Sequence, residues 1–173
     1  MFKKIVLLAL GSLLFLSACQ PLHTAVQLDE YNISYEYPAY WTVMQDVEGA
    51  QAAYMINAGT VEEPDGSNIN LVIEKSETAF NLEELEKATK ASIESLPGYK
   101  MVDIKSGILI AETPGIMFDF TAEIERLGPM RFNQYWFAKD EYQYLITFTA
   151  REDSYDKYIG SVEAFISSIK FTE

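Results

Sequence analysis

Residues 116–150 read IMFDFTAEIERLGPMRFNQYWFAKDEYQYLITFTA. Ile116, Phe118, Phe120, Ala122 and Ile124 share one parity and alternate with Met117, Asp119, Thr121, Glu123 and Glu125. Leu127-Gly128-Pro129 then supplies a turn, and Met130, Phe132, Gln134, Trp136 and Ala138 resume the alternation. Lys139-Asp140-Glu141 turns the chain again into Tyr142, Tyr144, Ile146, Phe148 and Ala150. A period of two residues is the signature of a strand. Three such runs joined by short turns predict an antiparallel meander with one packed and one partly solvated face. Tyr135 and Phe137 are aromatic yet opposite in parity to Trp136, so either both faces are covered there or an aromatic patch is exposed. A helix over the second face is the expectation.

Working outward, Tyr155, Tyr158, Ile159, Val162, Phe165, Ile166 and Ile169 keep the i, i+3, i+4, i+7 spacing of a helix over about 154–169, with Asp153 and Ser154 as candidate caps. A short strand over Lys170 to Thr172 follows. On the other side, Asn81 with Glu84 three residues on resembles a capping box. Leu82, Leu85, Ile93 and Leu96 then predict a one-sided helix near 82–96, stopped by Pro97-Gly98. A strand over Lys100–Ile104, extended by Ile108–Ala111 beyond Gly107, leads into the meander. Earlier strands are expected at Tyr31–Tyr37 (ended by Pro38), at Trp41 to Val43, at Ala53–Asn57 and at Ile69–Ile73, with a turn-rich loop over 61–68. Two one-sided helices must bury their stripes on the sheet. The fold class is therefore α+β, a twisted antiparallel sheet of about six or seven strands.

Two stretches carry a family resemblance. Ile33-Ser34-Tyr35-Glu36-Tyr37-Pro38-Ala39-Tyr40-Trp41 resembles the opening of PsbP-like domains. Phe165-Ile166-Ser167-Ser168-Ile169-Lys170-Phe171 resembles their closing helix and strand. The likeness spans roughly 29–172, and the group shares its fold with the eukaryotic Ran-release factor and the DcrB lipoproteins. It implies an α/β/α sandwich whose relatives bind and assemble rather than share a catalytic site. One relative aids manganese and calcium retention in the oxygen-evolving complex and another binds Ran; no motif in this chain carries either role over.

The amino terminus has its own signature. Lys3 and Lys4 precede an apolar run from Ile5 to Leu16, then Leu16-Ser17-Ala18-Cys19. This is a secretory signal too short to span a bilayer, which takes about 20 apolar residues. Its end resembles a bacterial lipobox. The expected organisation is a signal peptide over 1–18, a lipidated Cys19 with a tether over 19–28, and one PsbP-like domain over 29–173. Lipid on Cys19, the only cysteine, removes the thiol, so no disulfide, redox cysteine or thiolate nucleophile is expected. The membrane is thus one expected partner, with the protein held in the cell envelope: the outer membrane of a Gram-negative cell, or the outer face of a Gram-positive cell membrane.

Charge and composition exclude other classes. The chain has 13 basic and 26 acidic residues, net −13, and loss of Lys3 and Lys4 with the leader makes it −15. Nucleic acid and anionic lipid surfaces select basic patches and are excluded as partners. His23, the only histidine, lies in the expected tether, which removes a triad or a histidine-rich metal site. Ser154 with Lys157, and Ser167 with Lys170, match Ser-x-x-Lys but lack the partner motifs of penicillin-recognising enzymes. Glu62, Glu63, Asp65 and Asn68 are oxygen ligands at short spacing, without the order of an EF-hand loop; a solvated turn is the default and cation binding the alternative. Glu123 and Glu125 share a parity on the solvated side of a strand, whereas acid–base work needs two carboxylates in different environments. No phosphate-binding glycine loop appears. The expectation is a non-enzymatic, membrane-anchored binding or assembly module for an unidentified envelope protein, without cofactor, metal or catalytic residues. The alternative is a lipoprotein that binds a small ligand or a cation.

Overall fold

A computed structural model describes residues 22–60, 64–76 and 81–172. The described strands form two sheets. The larger runs in the order β3 (Thr42–Val43), β4 (Ala52–Gly59), β5 (Pro64–Lys75), β9 (Tyr142–Arg151), β8 (Gly128–Lys139), β7 (Thr113–Ile124) and β6 (Lys100–Ile110). The smaller runs β1 (His23–Leu28), β2 (Ile33–Pro38), β10 (Lys170–Phe171). All pairings are antiparallel. Helix α1 (Leu82–Ile93) follows β5, and α2 (Tyr155–Ser168) follows β9.

Register assigns each helix its face. Ile116, Phe118 and Phe120 of β7 gather with Ile93 of α1, joined by Leu82, Leu85, Phe132 and Trp136. The opposite parity, Met117 of β7 with Tyr135 and Phe137 of β8, joins Ile69, Leu71 and Ile73 of β5, Tyr144, Ile146 and Phe148 of β9, and Val162 and Phe165 of α2. The helices therefore cover opposite faces, and the arrangement is an α/β/α sandwich. Tyr135 is 8% exposed and Phe137 fully buried: both faces are covered, the first of the two alternatives the aromatic parity left open.

Local chemistry explains the helix ends. Asn81 Oδ1 accepts from the backbone N–H groups of Glu83 (3.0 Å) and Glu84 (3.2 Å), satisfying two of the donors a helix start leaves open. α1 ends before Pro97, whose carbonyl accepts from Glu123 N (2.8 Å), while Gly98 takes φ +65° to turn into β6. α2 starts after Ser154, but that hydroxyl donates backwards to the Arg151 carbonyl (3.3 Å) instead of capping the helix. At its other end the Ser168 hydroxyl accepts from Glu36 N (2.9 Å) and donates to the Phe165 carbonyl (2.7 Å), stitching α2 to β2.

Three expectations need correction. His23–Leu28 is not tether but β1, paired with β2 from His23↔Pro38 to Leu28↔Ile33. Its alternate residues Thr24, Val26 and Leu28 are half-buried, so the strand has a use for them. The expected first strand, Tyr31–Tyr37, begins only at Ile33 and joins this second sheet, not the main one. The loop over 61–68 is already strand from Pro64, because Asp65 replaces lost ladder bonds: its carboxylate accepts from Ser67 N (3.0 Å), from the Ser67 hydroxyl and from Asn57 Nδ2 (3.1 Å). β6 is continuous, with register shifts between Met101 and Asp103 and between Ser106 and Ile108.

Candidate interaction groove

In an antiparallel run β9-β8-β7-β6, the β6–β7 and β8–β9 turns fall at one end of the sheet. The end of α2 and β10 arrive at that same end on the α2 face. Between them lies an open groove of about 1020 Å³. The hairpin turn Ala111-Glu112 forms one lip, with Leu109 beside it 73% exposed. Ile166, Ile169 and Phe171 supply the apolar wall, and Glu112, Lys139, Asp140 and Lys170 the charges. A second open concavity of about 770 Å³ lies at this end and shares Thr113 and Asp140 with the groove. Its remaining lining includes Leu82 and Glu84 of α1.

The backbone here is strained. Six described non-glycine residues have positive φ, and four of them, Asn32, Ala111, Glu112 and Asp140, line the groove. Asn and Asp tolerate the left-handed region, but Ala111 (φ +47°) and Glu112 (φ +64°) do not. Ile110↔Thr113 pairing leaves only two turn residues, and a two-residue hairpin turn with both φ positive is the type I′ geometry that Asn-Gly normally fills. Departures of this kind concentrate where ligands and partners are held. Burial, with Asp140 nearby, pushes the Tyr144 phenol up to about 12. Its hydroxyl stays protonated and donates to the Tyr31 carbonyl (3.0 Å), fixing the small sheet to the large one beside the groove.

A second polar cluster lies under α2, near its start. Arg131 Nε and Nη2 donate to Asp119 Oδ1 (2.8 Å) and Oδ2 (2.7 Å), and the guanidinium stacks 3.8 Å from the centre of the Tyr155 ring. Asp119 holds the Arg131 guanidinium above its ordinary value. The Tyr155 hydroxyl donates to Asn133 Oδ1, whose amide reaches Met117 Sδ (3.6 Å). Burial raises the Tyr155 phenol to about 12. Each group is consumed by the next, which makes the cluster a strut and not a reaction centre. Asp119 lies on the face over which a helix was expected; α2 covers it and leaves Asp119 5% exposed. The signal in the sequence was an Asp and an Arg of matching parity on consecutive strands.

The residues singled out in the sequence do not converge. His23 is exposed on β1. Ser154 and Lys157 do not meet through their side chains: the Lys157 ammonium lies over the Tyr158 ring (5.0 Å). Ser167 donates to the Glu163 carbonyl (2.7 Å), while Lys170 has left the helix for β10. Glu123 sits on β7 and Glu125 in the turn beyond it, both exposed. Asp65 is spent on Ser67 and on Asn57 of β4, and Asn68 Nδ2 donates to the Gly66 carbonyl (2.8 Å). Cys19, Glu62 and Glu63 lie outside the described residues. Among the described residues no group of three or more His, Cys, Asp or Glu is placed to hold a metal ion.

Known structures share this architecture. LpqN of Mycobacterium tuberculosis, involved in cell envelope biogenesis, superposes with a TM-score of 0.64 at 11% identity, covering 87% of this chain and 91% of its own. Cyanobacterial PsbP (CyanoP) of Synechocystis sp. PCC 6803 gives 0.62 at 10% identity, covering 86% and 92%. The Ran-binding protein Mog1p of Saccharomyces cerevisiae gives 0.57 at 9% identity, covering 87% and 96%. No curated protein sequence matches the chain. At such identities the likeness fixes the fold alone. The sequence pattern described as PsbP-like protein, however, matches residues 22–171, nearly the whole of the two-sheet domain, and the chain belongs to the PsbP-like family.

Proposed function

We propose that the protein is a lipid-anchored, extracytoplasmic binding or assembly module for an envelope protein, acting without chemistry of its own. The observation that carries this reading is the groove at the hairpin end. It is wide and open, it mixes an apolar wall with lysines and acids, and it exposes Leu109 at its lip. A shallow, mixed surface of this kind suits a protein segment better than a small substrate, whose sites are enclosed. Lipid on Cys19 after removal of 1–18 is part of the same proposal, and two acyl chains hold firmly where one does not. The involvement of LpqN in cell envelope biogenesis and the Ran binding of Mog1p support a binding role on this fold.

The test is crosslinking in intact cells with mass spectrometry. Three forms are compared: the native protein, Cys19→Ala behind a cleavable secretion signal, and Leu109→Glu. The expected result is one partner captured through the groove by the native protein, lost with Leu109→Glu and reduced with Cys19→Ala. Leu109→Glu is expected to melt within about 2 °C of the native protein, since exposed substitutions change stability little. Unchanged capture by Leu109→Glu refutes the groove. Turnover of an envelope substrate, abolished by one point substitution, refutes the non-enzymatic reading.

A further inference from the structure

A different cavity, of about 360 Å³, lies between the small sheet and the β3–β4 edge of the large one. Val26 and Leu28 of β1 line it on one side, and Val43, Met44 and Val47 on the other. The outer wall is the segment 44–51, anchored at both ends. Met44 N donates to the Ala53 carbonyl (2.8 Å), and Gln51 N to the Leu71 carbonyl (2.9 Å). The Gln51 amide also brackets Ile73, donating to its carbonyl (3.1 Å) and accepting from its N–H (2.6 Å). A side chain here stands in for a missing strand residue, so the wall is built into the β4–β5 ladder.

Tyr35 of β2 and Tyr54 of β4 complete the lining, 2% and 4% exposed, with hydroxyl oxygens 2.9 Å apart. Two phenols carry two protons, and their mutual bond uses one. Among the described residues nothing accepts the second. A buried donor without an acceptor is costly and calls for a partner. Burial holds both phenols above their ordinary value, so both protons are present at neutral pH. Asp46 is the charged residue of the lining, and the chain is net −13. Both disfavour an anion, and a free donor proton does not attract a cation. The volume falls at the small end of ligand cavities, about 300–1,000 Å³.

We propose that this inter-sheet cavity binds a small, neutral carbonyl compound, whose oxygen accepts the spare proton of the Tyr35–Tyr54 pair. The site is separate from the groove and is built from other elements.

Photolabelling of the full chain with benzophenone tests it. This neutral two-ring ketone inserts into nearby C–H bonds on irradiation, and mass spectrometry locates the adducts. Labelling at Met44 or Val43 is expected to saturate. Acetophenone is expected to displace it about tenfold better than α-methylstyrene, which replaces the carbonyl oxygen by CH₂, the value of about one hydrogen bond. Tyr35→Phe and Tyr54→Phe each leave one hydroxyl with its proton free, so each single variant should label within about threefold of native. The double variant leaves no donor and should need about ten times more benzophenone. Labelling that does not saturate, or equal displacement by the two competitors, overturns the proposal, as does native behaviour of a folded double variant. Should the double variant not fold, the competition on the native chain decides alone.

Discussion

Replacing Arg131 with leucine should cost far more than replacing its partner Asp119 with leucine, although both changes break the same ion pair. Asp119 is 5% exposed, and among the described residues only Arg131 donates to its carboxylate. Arg131→Leu therefore strands a buried charge, a loss of about 3–5 kcal/mol in comparable cases. It also removes the stacking on Tyr155, worth about 0.5–2 kcal/mol. The expected total is about 4 kcal/mol, since a leucine recovers part by packing. Asp119→Leu instead leaves a guanidinium whose side chain is 24% exposed. It can turn toward water and keep its stacking, so the expected loss is about 1–2 kcal/mol. At about 2–4 °C per kcal/mol for a domain of this size, the melting points should fall by about 8–16 °C and 2–8 °C. The double leucine variant should lose less than Arg131→Leu alone, because an apolar pair is easier to bury than a lone carboxylate. Urea unfolding followed by the fluorescence of Trp41 and Trp136 measures all three. Equal losses for the two single variants, or a double loss equal to their sum, would refute the argument that desolvation of Asp119 dominates.

Alkaline stability follows from the buried phenols. Tyr144 and Tyr155 are raised by burial to about 12 in the folded chain, against about 10 unfolded, so their contribution is intact below pH 10 and is lost as pH rises toward 12. Unfolding midpoints in urea should be flat from pH 7 to 9 and then drop, at about 1.4 kcal/mol per tyrosine per pH unit; a flat profile to pH 11.5 contradicts this. At the hairpin turn, Ala111→Asn with Glu112→Gly should raise stability by about 1 kcal/mol, because these residues accept the two positive φ values that alanine and glutamate resist. A calorimetric melt that does not rise removes the claim of strain. Gly98→Ala should cost about 2 kcal/mol or more, since φ is +65° and the new Cβ would lie 2.4 Å from Glu123 Cγ. Gly128→Ala, at φ +79° but in open space, should cost only about 1 kcal/mol, and a reversed order in chemical denaturation counts against the steric term.

The meander and both helices were legible because their periods of two and 3.6 run for many residues over buried faces. What was hidden shares a cause: the deciding contacts are distant or non-repetitive. β1 alternates only between half-buried and exposed positions, so His23–Leu28 offers no apolar stripe to detect. Its sheet is completed by β10, far away in sequence. Pro64-Asp65-Gly66 carries every local mark of a turn, and it enters the ladder because one carboxylate rebuilds the lost bonds. β6 was read with a break at Lys105–Gly107, where it slips register in part, and its second slip, between Met101 and Asp103, left no mark in the sequence. The groove was invisible for the same reason, since it joins Asn32, Ala111, Lys139 and Phe171, which no local pattern connects. Asp119 shares its parity with Tyr135 and Phe137, so the helix expected over that face also buries it, but alternation alone does not name Arg131 as its partner.

The pairing of β10 with β2 also sets an order of events in time. Lys170 and Phe171 bond to Ser34 and Ile33, and Thr172 N reaches the Asn32 carbonyl (2.9 Å). The segment that locks the first sheet is thus made after every other described strand. A chain emerging from its amino end holds β1 and β2 as a bare hairpin, which is marginal alone in water. Closure waits for the far end, and contacts so remote in sequence are slow to form. The first sheet of such a chain cannot close before β10 is made, and removal of Lys170–Thr172 should be felt first at the distant β1 and β2.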